Sequence, residues 1–96
     1  MFVEGVENSI NSVIITDDAG YIYYVNKKFC EITEYTKEEV IGKHTRILKS
    51  GETPIEVYKE LWDTILNGKI WKGELLNKKK NGVFFWEKAT IIPLYE

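Results

Sequence analysis

The sequence predicts an α+β fold with an antiparallel sheet, and three observations predict it. Two short strand patterns joined by a turn open the chain, a long hairpin pattern closes it, and every helical pattern lies between them. Strands and helices segregated in this way argue for an antiparallel sheet with helices on one side rather than for repeated strand–helix–strand units. The chain has 96 residues, of which 44% are hydrophobic and 14% aromatic, a size and composition suited to one small globular domain.

Taken in order, residues 2–9 suit a short helix with Phe2, Val3 and Val6 on one stripe. It is too short to persist alone and must dock on something. Ser12 to Thr16 (SVIIT) is a strand, Asp17-Asp18-Ala19-Gly20 a turn, and Tyr21 to Val25 the returning strand. Asn26 then suits the N-cap of a short helix that holds Phe29, Cys30 and Ile32. Thr36 and Glu39 have capping-box spacing, which opens another short helix with Val40 and Ile41 that stops at Gly42. An irregular connector, KHTRILKSGET, follows. The longest helix is expected to begin at Thr53, with Thr53 as cap, Pro54 at the first helical position and Glu56 completing a second capping box. Ile55, Tyr58, Leu61, Trp62, Ile65 and Leu66 follow helical spacing as one apolar stripe, and Asn67-Gly68 ends it.

The closing hairpin spans residues 69–96 and turns at Asn81-Gly82, two residues that tolerate positive φ. Alternation places Trp71, Gly73, Leu75 and Asn77 on one face of the first strand, and Phe85, Glu87, Ala89 and Ile91 on one face of the second. Asn77 and Glu87 are thus polar residues among apolar ones. The opposite face of the second strand carries Phe84, Trp86, Thr90, Ile92 and Leu94. Apolar residues on both faces require cover on both: a core or ligand on one side, a helix or partner on the other.

Several function classes are disfavoured. The net charge is −2 with both signs interspersed, and the Lys78–Lys80 run reads as a solvated turn, not as a nucleic-acid footprint. No apolar run is long enough to span a membrane, so no direct membrane contact is expected. Cys30 is the single cysteine, which fits a reducing, cytoplasmic setting. With one His and one Cys, a dedicated metal site is not expected. No nucleophile–base pair or carboxylate dyad stands at persuasive spacing, so the domain is not expected to be an enzyme.

Along nearly its whole length the chain resembles a PAS domain. The residues that carry the resemblance are SVIITDDAGYIYYVNKKFCEITEYTKEEVIGK and WKGELLNKKKNGVFFWEKATIIPLYE, although Glu34-Tyr35 stands where the family usually has Gly-Tyr. The resemblance implies a sensory and dimerisation module of a larger signalling protein, such as a histidine kinase of a two-component system, a chemoreceptor or a cyclase, with an effector domain elsewhere in that protein. It also implies one further strand at the centre of the sheet, between the two hairpins. The chain shows no such strand, so residues 1–96 are expected to be a single domain cut before its last strand, with both hairpins left exposed for edge pairing or an intertwined dimer.

Within that family the chain looks most similar to flavin-binding branches. GKHTRILKSG resembles the connector that carries the reactive cysteine of LOV photosensors, and Thr45 takes that cysteine's place, so no flavin–cysteine adduct can form there. The resemblance assigns flavin contacts to His44, Arg46 and Lys49. The Trp71-Lys72-Gly73 and Asn77 combination is similar to FAD-binding redox sensors of the nitrogen-fixation and aerotaxis types. Glu87 stands where the LOV branch has a second Asn, a departure that bears on ring recognition.

Each assignment has a plainer alternative. Asn77 and Glu87 either read the polar edge of a ligand or serve as a strand end and a lysine partner. Trp71 either stacks on a planar cofactor or fills the core, and Trp62 is core or pocket wall. Arg46 and Lys49 either hold a phosphate or carboxylate or are solvated charges. His44 could ligate haem, but the resemblance places that ligand on the long helix, which has no His, so haem is disfavoured. Two functions follow. One is a sensor that binds FAD or FMN, senses redox state and signals through dimerisation; the other is a cofactor-free dimerisation or protein-interaction module. A homodimer would use Phe84, Trp86, Ile92 and Leu94 with Phe2, Val3 and Val6.

Overall fold

A computed structural model describes residues 4–94. The chain runs α1 (Glu4–Glu7), β1 (Ser12–Thr16), β2 (Ile22–Val25), α2 (Lys27–Thr33), α3 (Lys37–Val40), a 3-10 turn (Thr45–Leu48), α4 (Ile55–Leu66), β3 (Trp71–Lys78) and β4 (Phe84–Pro93). Phe2 and Val3 of the expected N-terminal stripe lie outside the described residues. Val6 is half-buried on α1.

The four strands form one sheet in the order β2-β1-β4-β3. Both hairpins are antiparallel, as their alternation requires, but β1 and β4 pair in parallel, from Ser12 opposite Ala89 to Thr16 opposite Pro93. The α+β class holds, while the sheet is mixed rather than antiparallel throughout. The physical reason is backbone satisfaction: an unpaired inner edge on either hairpin would bury donors and acceptors without partners. A parallel pair needs a long crossover, and the helices and connector between β2 and β3 provide it. The expected gap between the hairpins is therefore closed, and Leu94 N extends the seam by donating to Thr16 O at 2.7 Å.

Asn26 is the junction of the N-terminal half. Its Oδ1 accepts from Phe29 N, capping α2, and from Val13 N on β1, both at 3.0 Å. Its Nδ2 donates to Val6 O and Asn11 O, both at 2.9 Å, which docks the short α1. α1 is further held by Glu7, which accepts from the Tyr24 hydroxyl and from Lys37. α2 ends on Glu34 in the left-handed region at φ 70, the one non-glycine described there, with its N–H on Cys30 O. The capping box of Thr36 and Glu39 forms as predicted.

The second capping box does not form. α4 starts without a side-chain cap, because the Thr53 hydroxyl is held by the β3 backbone. It accepts from Leu76 N at 3.0 Å and lies 3.2 Å from Leu76 O as donor. The α4 stripe is also narrower than predicted: Leu61 and Ile65 are buried, Tyr58 and Trp62 are half-buried, and Ile55 and Leu66 are exposed at the helix ends. At the closing turn only Gly82 adopts positive φ, at 89°. Asn81 instead accepts from Val83 N, and Lys79 N closes the loop on Val83 O. The turn is thus longer than a two-residue Asn-Gly turn.

Helices α2 to α4 and the inner sheet face enclose the core, with Ile14, Val25, Phe29, Val40, Ile65 and Ile91 among its buried members. β1 is buried at every residue, Val13 and Ile15 included. On the outer face of β4, Phe84 and Trp86 are exposed, while Ile92 and Leu94 are half-buried.

Candidate functional site

Between α4, the connector and the inner face of the sheet lies a cavity of about 150 Å³. Its walls are apolar, supplied by Ile14 and Ile91 of the central strands, Leu61 and Ile65 of α4, Leu48 of the connector and Leu75 of β3. Its polar atoms come from Thr16, Tyr58 and Asn77, and its mouth from residues 44–46 and Lys49.

The connector is shaped by its own hydrogen bonds. His44 Nδ1 accepts from Arg46 N at 3.0 Å and so caps the 3-10 turn. With Nδ1 accepting, the ring proton sits on Nε2, which donates to Ala19 O at 2.8 Å. Thr45 N donates to Gly20 O at 3.0 Å, and Lys49 bridges to Asn77 at the end of β3. Gly20 has to be glycine. Its φ is 91°, and a Cβ there would stand 2.4 Å from Trp62 Cη2 and 2.8 Å from His44 Nε2.

Of the side chains singled out in the sequence, His44, Arg46, Lys49, Trp62 and Asn77 line this cavity. His44 offers only its ring face, because both nitrogens are engaged; the ring stands edge-on to Tyr21 at 5.0 Å and 6.0 Å from Trp62. Arg46 and Lys49 are exposed at the mouth, and Lys49 Nζ sits 4.2 Å from the centre of the Tyr58 ring, a cation–π contact. Thr45 lies on the wall.

Trp71 and Glu87 are not among the lining residues. Trp71 is buried in the core, where its ring covers Gly73 and its Nε1 donates to Glu60 Oε1 of α4 at 3.0 Å. A Cβ on Gly73 would meet that ring at 2.5 Å, so the Trp-x-Gly spacing is a packing device in this chain. Glu87 lies behind Asn77. Its Oε1 accepts from Asn77 Nδ2 at 2.8 Å, and among the described residues no ion pair joins it to a lysine. Glu87 is 1% exposed, and burial pushes its carboxyl above the ordinary value, against the opposing pull of the Ser12 and Asn77 side chains. Burial likewise raises the Cys30 thiol, which suits an inert packing residue.

Sequence reasoning did not single out two further groups. Thr16 is fully buried and Tyr58 half-buried, both line the cavity, and the Thr16 Oγ1 and Tyr58 hydroxyl oxygens are buried without a hydrogen-bond partner. The period of the strand already set Thr16 on the same face as Ile14, and Tyr58 sat in the α4 stripe. Their polarity inside those apolar sets was the available signal. Buried hydroxyls are normally satisfied, so two orphans at one cavity mark places where a ligand's polar atoms, or water, would complete the hydrogen bonding.

Comparison with known proteins identifies the family. A family profile described as "PAS domain" matches residues 10–96. A nitrogen fixation regulatory protein of Klebsiella oxytoca is 32% identical over 94 residues, which is 98% of this chain and 19% of that protein. The aerotaxis receptor of Escherichia coli strain K12 is 29% identical over 79 residues, 82% of this chain and 16% of the receptor. The chain thus spans less than a fifth of either relative's length. A solved structure described as "Flavin Analogue Sheds Light on Light-Oxygen-Voltage Domain Mechanism" superposes with a TM-score of 0.61 at 31% identity, over 68% of this chain and 48% of that one.

Proposed function

Because the chain belongs to the PAS domain family, we propose that this sensory domain binds a flavin, FAD or FMN, in the cavity beneath α4 and reports its redox state to an effector elsewhere in a larger signalling protein. The observation that carries this reading is the pair of unpartnered hydroxyls, Thr16 Oγ1 and Tyr58, at an otherwise apolar cavity. The donor set fits the group. Aliphatic walls suit a flat ring, Asn77, Thr16 and Tyr58 supply hydrogen-bonding atoms, and Arg46 and Lys49 stand where a phosphate tail would be neutralised. A flavin would supply reversible electron-transfer chemistry.

Size is the constraint. A cavity of about 150 Å³ holds roughly one six-membered ring, so a three-ring group enters only if the connector or Trp62 moves outward. That requirement gives a route for signalling. The connector is bridged to Asn77, Asn77 to Glu87, and Glu87 alternates along β4 with the outward-facing Phe84, Trp86 and Lys88. A ligand that interacts differently with two positions of the connector shifts their populations and so biases the outer face. The similarity to an aerotaxis receptor and to a structure solved with a flavin analogue supports the redox and flavin parts of this reading.

The exposed face of β4 favours a second element, self-association. Trp86 is 66% exposed beside Phe84 at 49%. With Ile92 and Leu94 this makes a homodimer surface, and it serves equally a cofactor-free interaction module. The single cysteine is consistent with a cytoplasmic setting.

The deciding experiment is an absorption spectrum of protein purified from cells, with mass spectrometry of the released small molecule. Bands near about 370 and 450 nm, as an oxidised flavin gives, with FAD or FMN released, are the expected outcome. A colourless protein that also fails to take up added FAD and FMN leaves the interaction module as the function.

A further inference from the structure

We propose that His44 is a proton-sensitive latch on the cavity mouth: the neutral ring holds the connector closed over the cavity, and proton uptake by the ring releases it for ligand entry. This inference rests on the reading of the cavity as a ligand site and adds how access to that site is controlled.

A backbone N–H can only donate, so Arg46 N, at 3.0 Å from His44 Nδ1, requires a lone pair on that nitrogen. The ring proton then sits on Nε2, which donates to Ala19 O at 2.8 Å. One ring in one tautomer therefore closes two contacts. It caps the 3-10 turn of its own connector and ties that connector to the turn before β2. A second proton would occupy Nδ1 and set N–H against N–H. The tie through Nε2 survives that change, and the cap does not. Imidazole is the side chain that ordinarily gains its proton between about pH 5 and 8.

What the cap holds is the mouth. The connector is pinned on either side of the turn, by Ile22 N donating to Lys43 O at 2.8 Å and by the bridge between Lys49 and Asn77. Between those pins His44, Thr45, Arg46 and Leu48 all line the cavity. The ring also stands 6.0 Å from Trp62, the other group whose outward movement would admit a three-ring ligand. Loosening His44 frees both, while the pins confine the motion to the mouth. The surroundings do not compensate a charge on the ring. From α4 it meets Trp62, which is uncharged, and from the turn before β2 it meets Ala19 O and the edge of Tyr21. Of the acids in that turn, Asp18 is exposed, and Asp17 Oδ1 is committed to Ala19 N and Tyr21 N at 2.9 and 2.8 Å. Within the connector the neighbouring charges, Lys43, Arg46 and Lys49, are all cations. No carboxylate forms an ion pair with His44 among the described residues. A charged ring therefore gains no ion pair by keeping its place.

Two measurements test this. In the ligand-free protein, nitrogen-15 NMR follows the His44 ring and the backbone amides between about pH 5 and 8. At the upper end the ring proton should sit on Nε2. As the ring charges, the exchange protection of the Arg46 amide, corrected for the intrinsic pH dependence of exchange, should fall about fivefold, the value of one helix cap. The Ile22 amide, which pins the connector, should keep its protection. Asparagine is a good cap that does not titrate, so His44→Asn should hold the Arg46 protection constant; the wild-type titration decides even if that variant does not fold. Stopped-flow mixing then compares the entry of riboflavin, which has no phosphate and keeps its charge over this range. Entry into the wild type should quicken about fivefold as the ring charges, and entry into His44→Asn should stay flat. Arg46 protection that ignores the charging of the ring, or an entry rate that is flat in the wild type or equally steep in both proteins, overturns the proposal. If riboflavin does not bind the wild type, the flavin reading falls, and the NMR titration alone decides whether His44 latches the mouth.

Discussion

Glu87 and Asn26 show what a single buried polar side chain does in this fold, and they lead to opposite expectations. Burial raises the Glu87 carboxyl above the unfolded value of 4.5. The folded protein therefore binds this proton more tightly than the unfolded chain. Its contribution is fully present below about 4.5 and is lost as pH rises through the elevated folded value, at up to about 1.4 kcal/mol per pH unit. Glu87→Gln should flatten that decline, and urea titrations between about pH 4.5 and 8 would show it; parallel profiles for both proteins would refute it. Glu7 and Glu39 shift the other way, held low by hydrogen bonds from Tyr24 and Lys37 and from Lys80 respectively. Their contributions fade as pH falls through their depressed values. Asn26 satisfies four backbone groups at once. Asn26→Ala should cost about 3 kcal/mol, and Asn26→Asp should keep the two accepted bonds while releasing α1. At this scale the sequence was partly legible. Asn77 and Glu87 stood out because strand alternation set them among apolar neighbours. Thr16 and Tyr58 did not stand out, because one hydroxyl in an apolar stripe is ordinary until its lack of a partner is seen.

At the scale of elements, the same motif met two fates. Thr36-x-x-Glu39 and Thr53-x-x-Glu56 have identical spacing, yet only the first became a capping box. Local chemistry decided the first, because Thr36 is exposed and its hydroxyl accepts from Glu39 N within the same turn. A tertiary competitor decided the second, since the β3 backbone at Leu76 holds the Thr53 hydroxyl, and no local pattern encodes that partner. The connector was legible as irregular, but its 3-10 turn was not. It depends on His44 acting as a cap from within a stretch that reads as charged loop. The turn before β2 carries a sharper test. Gly20→Ala would force a side chain into left-handed backbone and against Trp62 and His44, and should destabilise by about 1–3 kcal/mol. It should also push the Trp62 ring, so tryptophan fluorescence and ligand uptake should change together. Unaltered fluorescence and uptake would mean that Trp62 does not set the cavity wall.

For the molecule as a whole, hydrophobic alternation and element order sufficed for the α+β class, because two hairpins around a helical stretch leave few arrangements. They did not reveal how the hairpins join. Parallel pairing of β1 with β4 is a contact between opposite ends of the chain, with no short-range signal in either strand. The outer face was legible in the apolar parity of β4, and the structure leaves Trp86 and Phe84 exposed there. For the proposed homodimer, Trp86→Ala should therefore weaken self-association without unfolding the domain. Sedimentation velocity would read the shift toward monomer, and an unchanged distribution would remove the case for this face as a dimer surface.

The seam between β1 and β4 also bears on the order in which the molecule assembles. Each hairpin closes a short loop, whereas the seam closes nearly the entire chain, so its entropy is lost late and regained only when both hairpins already exist. Substitutions in the β3–β4 hairpin, such as Leu75→Ala, should slow refolding. A trimmed seam residue such as Ile15→Val should mainly speed unfolding. β4, the strand that connects the cavity to the outer face, would then meet β1 last and part from it first while still paired with β3.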